Sequence, residues 1–278
     1  MPRKTFTSAD MMTRFKFNNN TVDALFFRDV NIINPWGIET SDSSGFFSLE
    51  SGVGYRYEIL HEDYSFDERR FAANLTVRMP EGRWRLMSHD SIIGESKVFR
   101  RAELECLENS YFLDFVMRFR FRNGPIEYAE IDRTQVLHDN SHVYHQYSTR
   151  QVLLVGRDFD IRISCKDVIM PETMKLVMYV SDQKGEWIVH IRMLPKQFDK
   201  EIIKLCNFWF KTRPIPQPFA NLLLRSERLK RALWYRGEVS PYKSIVLRRL
   251  INPVAFPLVS ISKGARLLID AEVIFDRK

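Results

Sequence analysis

Two histidines, His138 and His142, flank the segment Asp139-Asn140-Ser141, whose residue types are typical of a tight turn. If this turn closes a hairpin, the two histidines face each other across the strands, with Cβ atoms about 5 Å apart. An imidazole has an unperturbed pKa of about 6.5, so either ring could accept or donate a proton near neutral pH. The spacing therefore predicts His138 and His142 as candidate catalytic residues.

The same register predicts one polar face along both strands, because side chains at alternate positions point to the same side. It places three further candidate catalytic groups on that face: Glu130, Asp132 and Tyr144. It also places three candidate ligand-binding groups there: Thr134, Gln146 and Arg150. Such a face could bind a carbohydrate-like ligand through hydrogen bonds, and the alternative is an exposed polar hairpin without a ligand. Two histidines make an incomplete metal site, so neither a metal nor a cofactor is predicted.

Aromatic side chains are abundant, with 21 Phe, 10 Tyr and 5 Trp in 278 residues. Trp84 is predicted to stack on a sugar ring, as Trp36 and Trp187 could. The alternative is that these rings belong to a hydrophobic core, where aromatic residues of strands commonly lie.

The segment Phe219–Arg236 has the pattern of an amphipathic helix. At about 100° per residue, its apolar and basic side chains fall on opposite sides. The predicted membrane or partner contacts are Trp209, Leu222, Arg225, Arg228, Leu229, Arg231, Leu233 and Trp234. A helix of this kind could lie on an anionic membrane or on an acidic protein, or it could pack on the protein's own core.

These candidates must be positioned by strands, because a period of two runs from about residue 21 to 194. In the segment Tyr111–Arg122, the side chains of Phe115, Met117, Phe119 and Phe121 alternate with a set that is mostly charged, which predicts a strand with one buried and one wet face. A hairpin loop is predicted at 181–185. The pattern becomes helical after Pro195, and the segment Ala265–Phe275 is predicted to be a final strand.

The predicted organisation is an N-terminal arm (1–20), an antiparallel β-sandwich or barrel-like domain (21–195) and a basic, mostly helical C-terminal segment (196–278) that ends in a strand. The charges support this division. Residues 1–196 hold 26 Lys+Arg and 28 Asp+Glu, whereas residues 197–278 hold 16 and 7. An excess of positive charge confined to one segment predicts an anionic partner for that segment.

Other features restrict the class of protein. The three cysteines are scattered, and the chain lacks a secretory apolar core and a run of about 20 apolar residues, so a reducing, cytoplasmic location is predicted, with membrane contact at most peripheral. No nucleotide-binding glycine motif and no zinc-protease motif is present.

The leading hypothesis is a mainly β protein that binds, and could chemically modify, a carbohydrate-like or other polar ligand near a membrane surface. Two alternatives stay open. The first is an assembly subunit of a virion or secretion complex that docks on an acidic protein through its basic segment. The second is a nucleic-acid binder, which is less favoured because the β region carries a slight negative charge.

Overall fold

The computed structural model describes residues 15–18, 21–27, 30–42, 45–50, 54–112, 114–140, 145–183, 185–196 and 259–278. These ranges form strands and turns, and none of them is helical, so the predicted mainly β fold is confirmed. No helix within these ranges has the length and apolar character needed to cross a membrane. The predicted basic helix lies outside the described residues.

The first strands in chain order are β1 Phe15–Asn18, β2 Thr21–Phe27, β3 Val30–Asn31, β4 Gly37–Ser41, β5 Phe46–Ser48, β6 Gly54–Tyr55, β7 Glu58–Phe66, β8 Arg70–Met79, β9 Gly82–Ile93 and β10 Lys97–Cys106. The later strands are β11 Ser110–Phe112, β12 Asp114–Arg122, β13 Ile126–Ile131, β14 Thr134–Leu137, β15 His145–Tyr147, β16 Gln151–Gly156, β17 Phe159–Ile169, β18 Met174–Gln183, β19 Glu186–Pro195, β20 Val259–Ile261 and β21 Arg266–Arg277.

Two large antiparallel sheets pack face to face. The nine-stranded sheet has the order β14-β13-β16-β17-β21-β10-β9-β8-β7, and the seven-stranded sheet has the order β15-β18-β19-β12-β4-β5-β6. Smaller sheets are formed by β1-β2-β3 and by β11-β20. The predicted antiparallel sandwich is therefore confirmed. The predicted final strand is β21, which lies between β17 and β10 and so forms part of the β domain.

The core lies between the two large sheets and is built by alternation along each strand. In β12, Phe115, Met117, Phe119 and Phe121 are completely buried and face the apolar residues of the nine-stranded sheet. Trp84 belongs to the same core cluster and is 1% exposed. Its predicted stacking on a sugar is therefore a wrong prediction, because the ring packs between the sheets. Likewise, Trp36 and Trp187 are fully buried in this core.

The core contains a buried ion pair between two neighbouring strands of the nine-stranded sheet. Arg100 of β10 lies 3.0 Å from Asp90 of β9, measured from Nε to Oδ1, and both side chains are fully buried. Nη1 of Arg100 also donates to the carbonyl oxygen of Arg118, 3.0 Å away, so one side chain links the two sheets. Burial raises the pKa of Asp90 to about 6, against the opposing effect of Arg100.

The hairpin predicted around residues 139–141 is wrong. Strands β13 and β14 pair through Ile131 and Thr134, and the turn between them is Asp132-Arg133. Both turn residues have positive φ, of 48° and 63°, as the two-residue turns that match strand twist require. Strand β15 pairs with β18 in the other sheet, so the chain changes sheets between β14 and β15.

This topology separates the residues that the predicted register had paired. Thr134 is opposite Ile131 rather than Gln146, and Asp132 occupies a turn rather than a strand. Gln146 is opposite Tyr179 of β18. The prediction failed because Asp132-Arg133 lacks the glycine or asparagine by which such a turn is usually recognised.

Candidate functional site

The outer face of the seven-stranded sheet, which points away from the core, carries a group of charged side chains. Because the phenylalanines of β12 point inward, Asp114, Arg118 and Arg120 point outward. The prediction that this face of β12 is exposed to water is wrong. Asp114 is fully buried, and the side chains of Arg118 and Arg120 are 14% and 24% exposed. We call this surface the charged face, and it comprises Glu39, Glu50, Asp114, Arg118, Arg120, Tyr179, Glu186, His190 and Arg192.

A chain of ion pairs runs across the charged face from β4 to β12. Nη1 of Arg118 lies 2.8 Å from Oε1 of Glu39, and Nη2 pairs with Glu50. The other oxygen of Glu50 lies 2.8 Å from Nη1 of Arg120. Glu50 therefore bridges two arginines on the same face of one strand.

The ion-pair chain continues from Arg120 to β19. The guanidinium of Arg120 binds Glu186 with two contacts, Nε to Oε2 at 2.8 Å and Nη2 to Oε1 at 3.1 Å. Nδ2 of Asn34 also donates to Oε2 of Glu186, at 2.8 Å. Two parallel contacts fix the plane of the guanidinium as well as its position, so this end of the network is geometrically defined.

Gly37 provides room for the Arg118 guanidinium. The two residues are opposite each other in β4 and β12. A Cβ atom at position 37 would lie 3.1 Å from Nη2 of Arg118 and 3.2 Å from its Nε. The glycine therefore lets the guanidinium lie against the β4 backbone on its way to Glu39.

A second branch of the charged face is formed by β12, β18 and β19. Arg192 pairs with the buried carboxylate of Asp114, which also accepts a hydrogen bond from Oγ of Ser41. The guanidinium carbon of Arg192 lies 5.6 Å from the ring centre of Tyr179. The rings of Tyr179 and His190 meet edge to face, with centroids 6.3 Å apart.

His190 lies between the two branches. It is opposite Arg118 on one neighbouring strand and opposite Tyr179 on the other. An imidazole and a phenol can each donate and accept hydrogen bonds, and an imidazole can also exchange a proton near neutral pH. His190 is therefore the side chain of the charged face best suited to proton transfer.

The charged face combines strong hydrogen-bond donors and acceptors but has little net charge. Four carboxylates oppose three guanidinium groups. Such a balance suits a neutral ligand with many hydroxyl groups, because each hydroxyl can both donate and accept. Arg120 is the most exposed of the arginines, so solvent reaches the network at the Arg120–Glu186 end. Within the described residues, no three His, Cys, Asp or Glu side chains form a metal-binding group.

The structure gives His138 a partner that the sequence did not indicate. Nδ1 of His138 lies 2.7 Å from Oδ1 of Asp182, whose carboxylate is fully buried. The other oxygen of Asp182 accepts from the backbone N–H groups of Asp139 and Asn140, at 2.6 and 2.5 Å. Asp182 comes from β18, 44 residues further along the chain, and no local spacing could have revealed this pair. The catalytic role of His138 stays a prediction.

The other predicted site residues are dispersed. Glu130, Asp132 and Thr134 are exposed at one end of the nine-stranded sheet. Arg150 lies in the segment between β15 and β16, where Nη1 donates to the carbonyl oxygen of Lys166 at 3.3 Å. His142, Tyr144 and the side chain of Gln146 lie outside the described residues.

All the predicted membrane or partner contacts, from Trp209 to Trp234, also lie outside the described residues. Sequence reasoning missed most of the charged face. The alternation of Asp114, Arg118 and Arg120 with phenylalanines was visible, but alternation does not tell whether the second face of a strand is wet or buried.

No protein-family model and no curated protein matches this chain. Solved structures do resemble it. A candidate aldose 1-epimerase from Escherichia coli K12 aligns with a TM-score of 0.50 and 6% sequence identity, over 96% of this chain and 99% of that one. A galactose mutarotase-like protein from Lactobacillus casei ATCC 334 aligns with a TM-score of 0.47 and 9% identity, over 95% and 97% of the two chains. The first likeness shows that this chain shares the β-sandwich fold of the Escherichia coli protein.

Proposed function

We propose that the charged face binds a carbohydrate, with solvent access at the Arg120–Glu186 end. The observation that carries the proposal is the continuous network of Glu39, Arg118, Glu50, Arg120 and Glu186. Four of these five residues lie on the neighbouring strands β4, β12 and β19, which position side chains more rigidly than loops do, and Glu50 lies two residues after the end of β5. Sugar hydroxyl groups would exchange hydrogen bonds with water for hydrogen bonds with these fixed groups.

The shared fold supports the same class of ligand. The Escherichia coli protein is named for the epimerisation of aldoses at carbon 1. Its alignment with this chain covers nearly the whole of both proteins. An aldose has the high density of hydroxyl groups that the nearly neutral charged face suits. We therefore infer that monosaccharides of the aldose class are the first ligands to test.

The proposal includes a chemical step at His190. Interconversion of aldose anomers opens the ring when a proton leaves the anomeric hydroxyl and a proton reaches the ring oxygen. His190 would transfer one of these protons, while Arg118 and Glu39 would hold hydroxyl groups of the sugar. Its position between Arg118 and Tyr179 supports this assignment.

The binding experiment is calorimetric titration of the full chain with a panel of aldohexoses. Glu186→Gln keeps the shape of the side chain but removes the charge that orients Arg120. Loss of a hydrogen bond to a charged group predicts an affinity about ten-fold weaker or more. The control is Glu272→Gln on the outer face of the nine-stranded sheet, which should leave affinity unchanged. Binding of no sugar by the folded wild type, or equal effects of both variants, would contradict the proposal.

The chemical step has a separate measurement, the rate of anomer exchange followed by NMR. His190→Gln is expected to slow the catalysed rate by about 100-fold or more, as for loss of a general acid or base, with a smaller change in affinity. An unchanged rate in this variant would show that His190 does not transfer a proton in the reaction. The proposal that the charged face binds a carbohydrate would then still stand.

The basic segment carries a further proposal, contact with an anionic membrane surface. Its support is the charge of residues 197–258, which hold 12 Lys+Arg and 4 Asp+Glu. Because β21 lies inside the nine-stranded sheet, truncation at residue 196 would remove a core strand. A triple variant with Arg225, Arg228 and Arg231 changed to Gln is the better probe, and it should pellet less with anionic vesicles than the wild type. Docking in an assembly and binding of nucleic acid stay predictions.

A further inference from the structure

A groove of about 550 Å³ is lined by described residues that do not belong to the charged face. One wall is the segment Ser148–Arg150, where the chain passes from β15 to β16. The other wall is the turn between β17 and β18, which includes Met170 and Glu172. Lys196 also lines the groove, and its backbone N–H donates to the carbonyl oxygen of Thr173 at 3.0 Å.

The rim of the groove is positively charged. Among the described residues, three cations, Arg150, Lys175 and Lys196, line it together with one carboxylate, Glu172, which gives these four residues a net charge of +2. Within the part of the chain that the structure describes, no carboxylate lies within ion-pair distance of Arg150 or Lys196. The rim therefore favours an anionic group, in contrast to the nearly balanced charged face.

The floor of the groove is apolar. Met174 is almost completely buried, and Met170 and Leu176 are half-buried beside it. Methionine side chains adapt their shape to the ligand that contacts them, because they are unbranched and polarizable. An apolar floor below a cationic rim would bind one molecule with both an anionic group and an apolar part.

The backbone around the groove is fixed on both sides. The amide of Cys165 donates to the carbonyl oxygen of Arg150 at 2.8 Å, which fastens one wall to β17. The amide of Met174 donates to the carbonyl oxygen of Pro171 at 3.0 Å, which closes the turn of the other wall. The groove is therefore formed before any ligand arrives, as is usual for small-molecule sites.

We propose that this groove binds an amphipathic anion, a molecule in which a phosphate or carboxylate group is attached to a short alkyl chain. The anionic group lies between Arg150 and Lys196, and the alkyl chain lies on Met170 and Met174. The proposal does not depend on carbohydrate binding, and the two use different probes. A failure of one therefore leaves the other to be judged on its own measurement.

The experiment is a titration of the full chain with n-alkyl phosphates of increasing length, followed by NMR of methionine methyl groups labelled with carbon-13. The methyl signals of Met170 and Met174 should shift and saturate, whereas those of Met79 and Met117 in the core should not. Each added methylene should tighten binding by about four-fold while the chain still fits the groove. Inorganic phosphate should bind much more weakly, as should the alkyl alcohol of equal length.

Variants of the rim test whether binding depends on its positive charges. Arg150→Gln and Lys196→Gln should each weaken binding by about three- to five-fold, the effect of one partly exposed ion pair. Arg157→Gln is the matched control, because Arg157 is an exposed arginine outside the groove, paired with Glu127. The proposal is overturned if the two methyl signals do not shift, if affinity is independent of chain length, or if all three variants bind alike.

Discussion

The outer faces of the two large sheets both carry cross-strand ion pairs, but the cations of these pairs are far more exposed on the nine-stranded sheet than on the seven-stranded sheet. On the nine-stranded sheet, the pair Arg162–Asp276 has side chains 43% and 44% exposed, and Lys166 of the pair Lys166–Glu272 is 48% exposed. On the seven-stranded sheet, the side chains of Arg118 and Arg120 are only 14% and 24% exposed. We call the outer surface of the nine-stranded sheet the solvent face.

The difference indicates that stability alone does not explain the charged face. An ion pair in water contributes about 0–1 kcal/mol, so the solvent face needs no special explanation. A buried ion pair must offset the loss of hydration of both groups, and apolar residues of similar volume are often as stable or more stable. The retention of several such pairs on one sheet face supports the proposal that this face binds a ligand, because binding needs fixed polar groups.

The largest expected effect is the loss of an arginine from the charged face. Arg118→Met removes the partner of Glu39 and one partner of Glu50, so it should lower the free energy of unfolding by about 3–5 kcal/mol. The matched change on the solvent face, Arg162→Met, should lower it by less than about 1 kcal/mol. Urea denaturation of both variants measures the difference. Equal losses in the free energy of unfolding would contradict the account, which expects the less exposed arginine to contribute more to stability.

The second effect concerns the ion pair Arg100–Asp90, which is buried in the core between the two large sheets. The pKa of Asp90 is raised from its ordinary 3.8 to about 6, so the folded protein holds this proton more tightly than the unfolded chain does. The contribution of Asp90 to stability is thus complete below the unfolded pKa and is lost as the pH rises through about 6. The loss is at most about 3 kcal/mol, from the free energy that corresponds to each unit of pKa shift.

Asp90→Asn should remove this pH dependence. The measurement is the free energy of unfolding of wild type and variant between about pH 4 and pH 7, compared as a difference at each pH. A constant difference across that range would mean that Asp90 does not titrate there, and that burial does not dominate its environment.

A third, smaller effect is expected at His138. His138→Ala removes one of the three hydrogen-bond donors of the buried Asp182 carboxylate, so stability should fall by about 1–2 kcal/mol. His89→Ala is the control, because His89 is exposed on the solvent face and should change stability by less than about 0.5 kcal/mol. Chemical denaturation at neutral pH distinguishes the two. A loss at His138 no greater than that of the control would argue against the Asp182 contact.

The smallest effect is expected for Glu272 of the solvent face. Burial tends to raise its pKa, but hydrogen bonds from Lys166 and Lys97 outweigh burial, and the net pKa is lowered. Its contribution is present above the unfolded pKa and is lost as the pH falls through the folded pKa. Glu272→Gln should lower stability at neutral pH by less than about 1 kcal/mol, and by less still at high salt. A larger loss that is insensitive to salt would show that Glu272 behaves like a buried carboxylate of the charged face.

The elements that were predicted well from the sequence are strands in which apolar residues recur at every second position. The apolar positions of β12 and the final strand β21 were predicted, because a period of two in apolar residues specifies which side of a strand is buried. The loop between β18 and β19 was also predicted, although β18 extends three residues further into it than expected, to Gln183. Local signals of this kind depend only on neighbouring residues.

The sequence failed where the answer depends on distant parts of the chain. The turn Asp132-Arg133 displaced the predicted hairpin, and with it the polar face built around His138 and His142. Trp84 could equally have been a surface or a core residue, and packing decided between them. The contacts of Arg120 with Glu50 and Glu186 join residues 70 and 66 positions apart, so no local pattern could predict the network.

The central claim, that the charged face binds a carbohydrate, is tested most directly by NMR of the arginine Nε–H groups during a titration with aldohexoses. The account predicts saturable shifts of the Arg118 and Arg120 signals, identified by their loss in single variants, with no change at Arg162 or Arg266 of the solvent face. Shifts at the solvent face alone, or no shift at any arginine with a sugar in large excess, would contradict it.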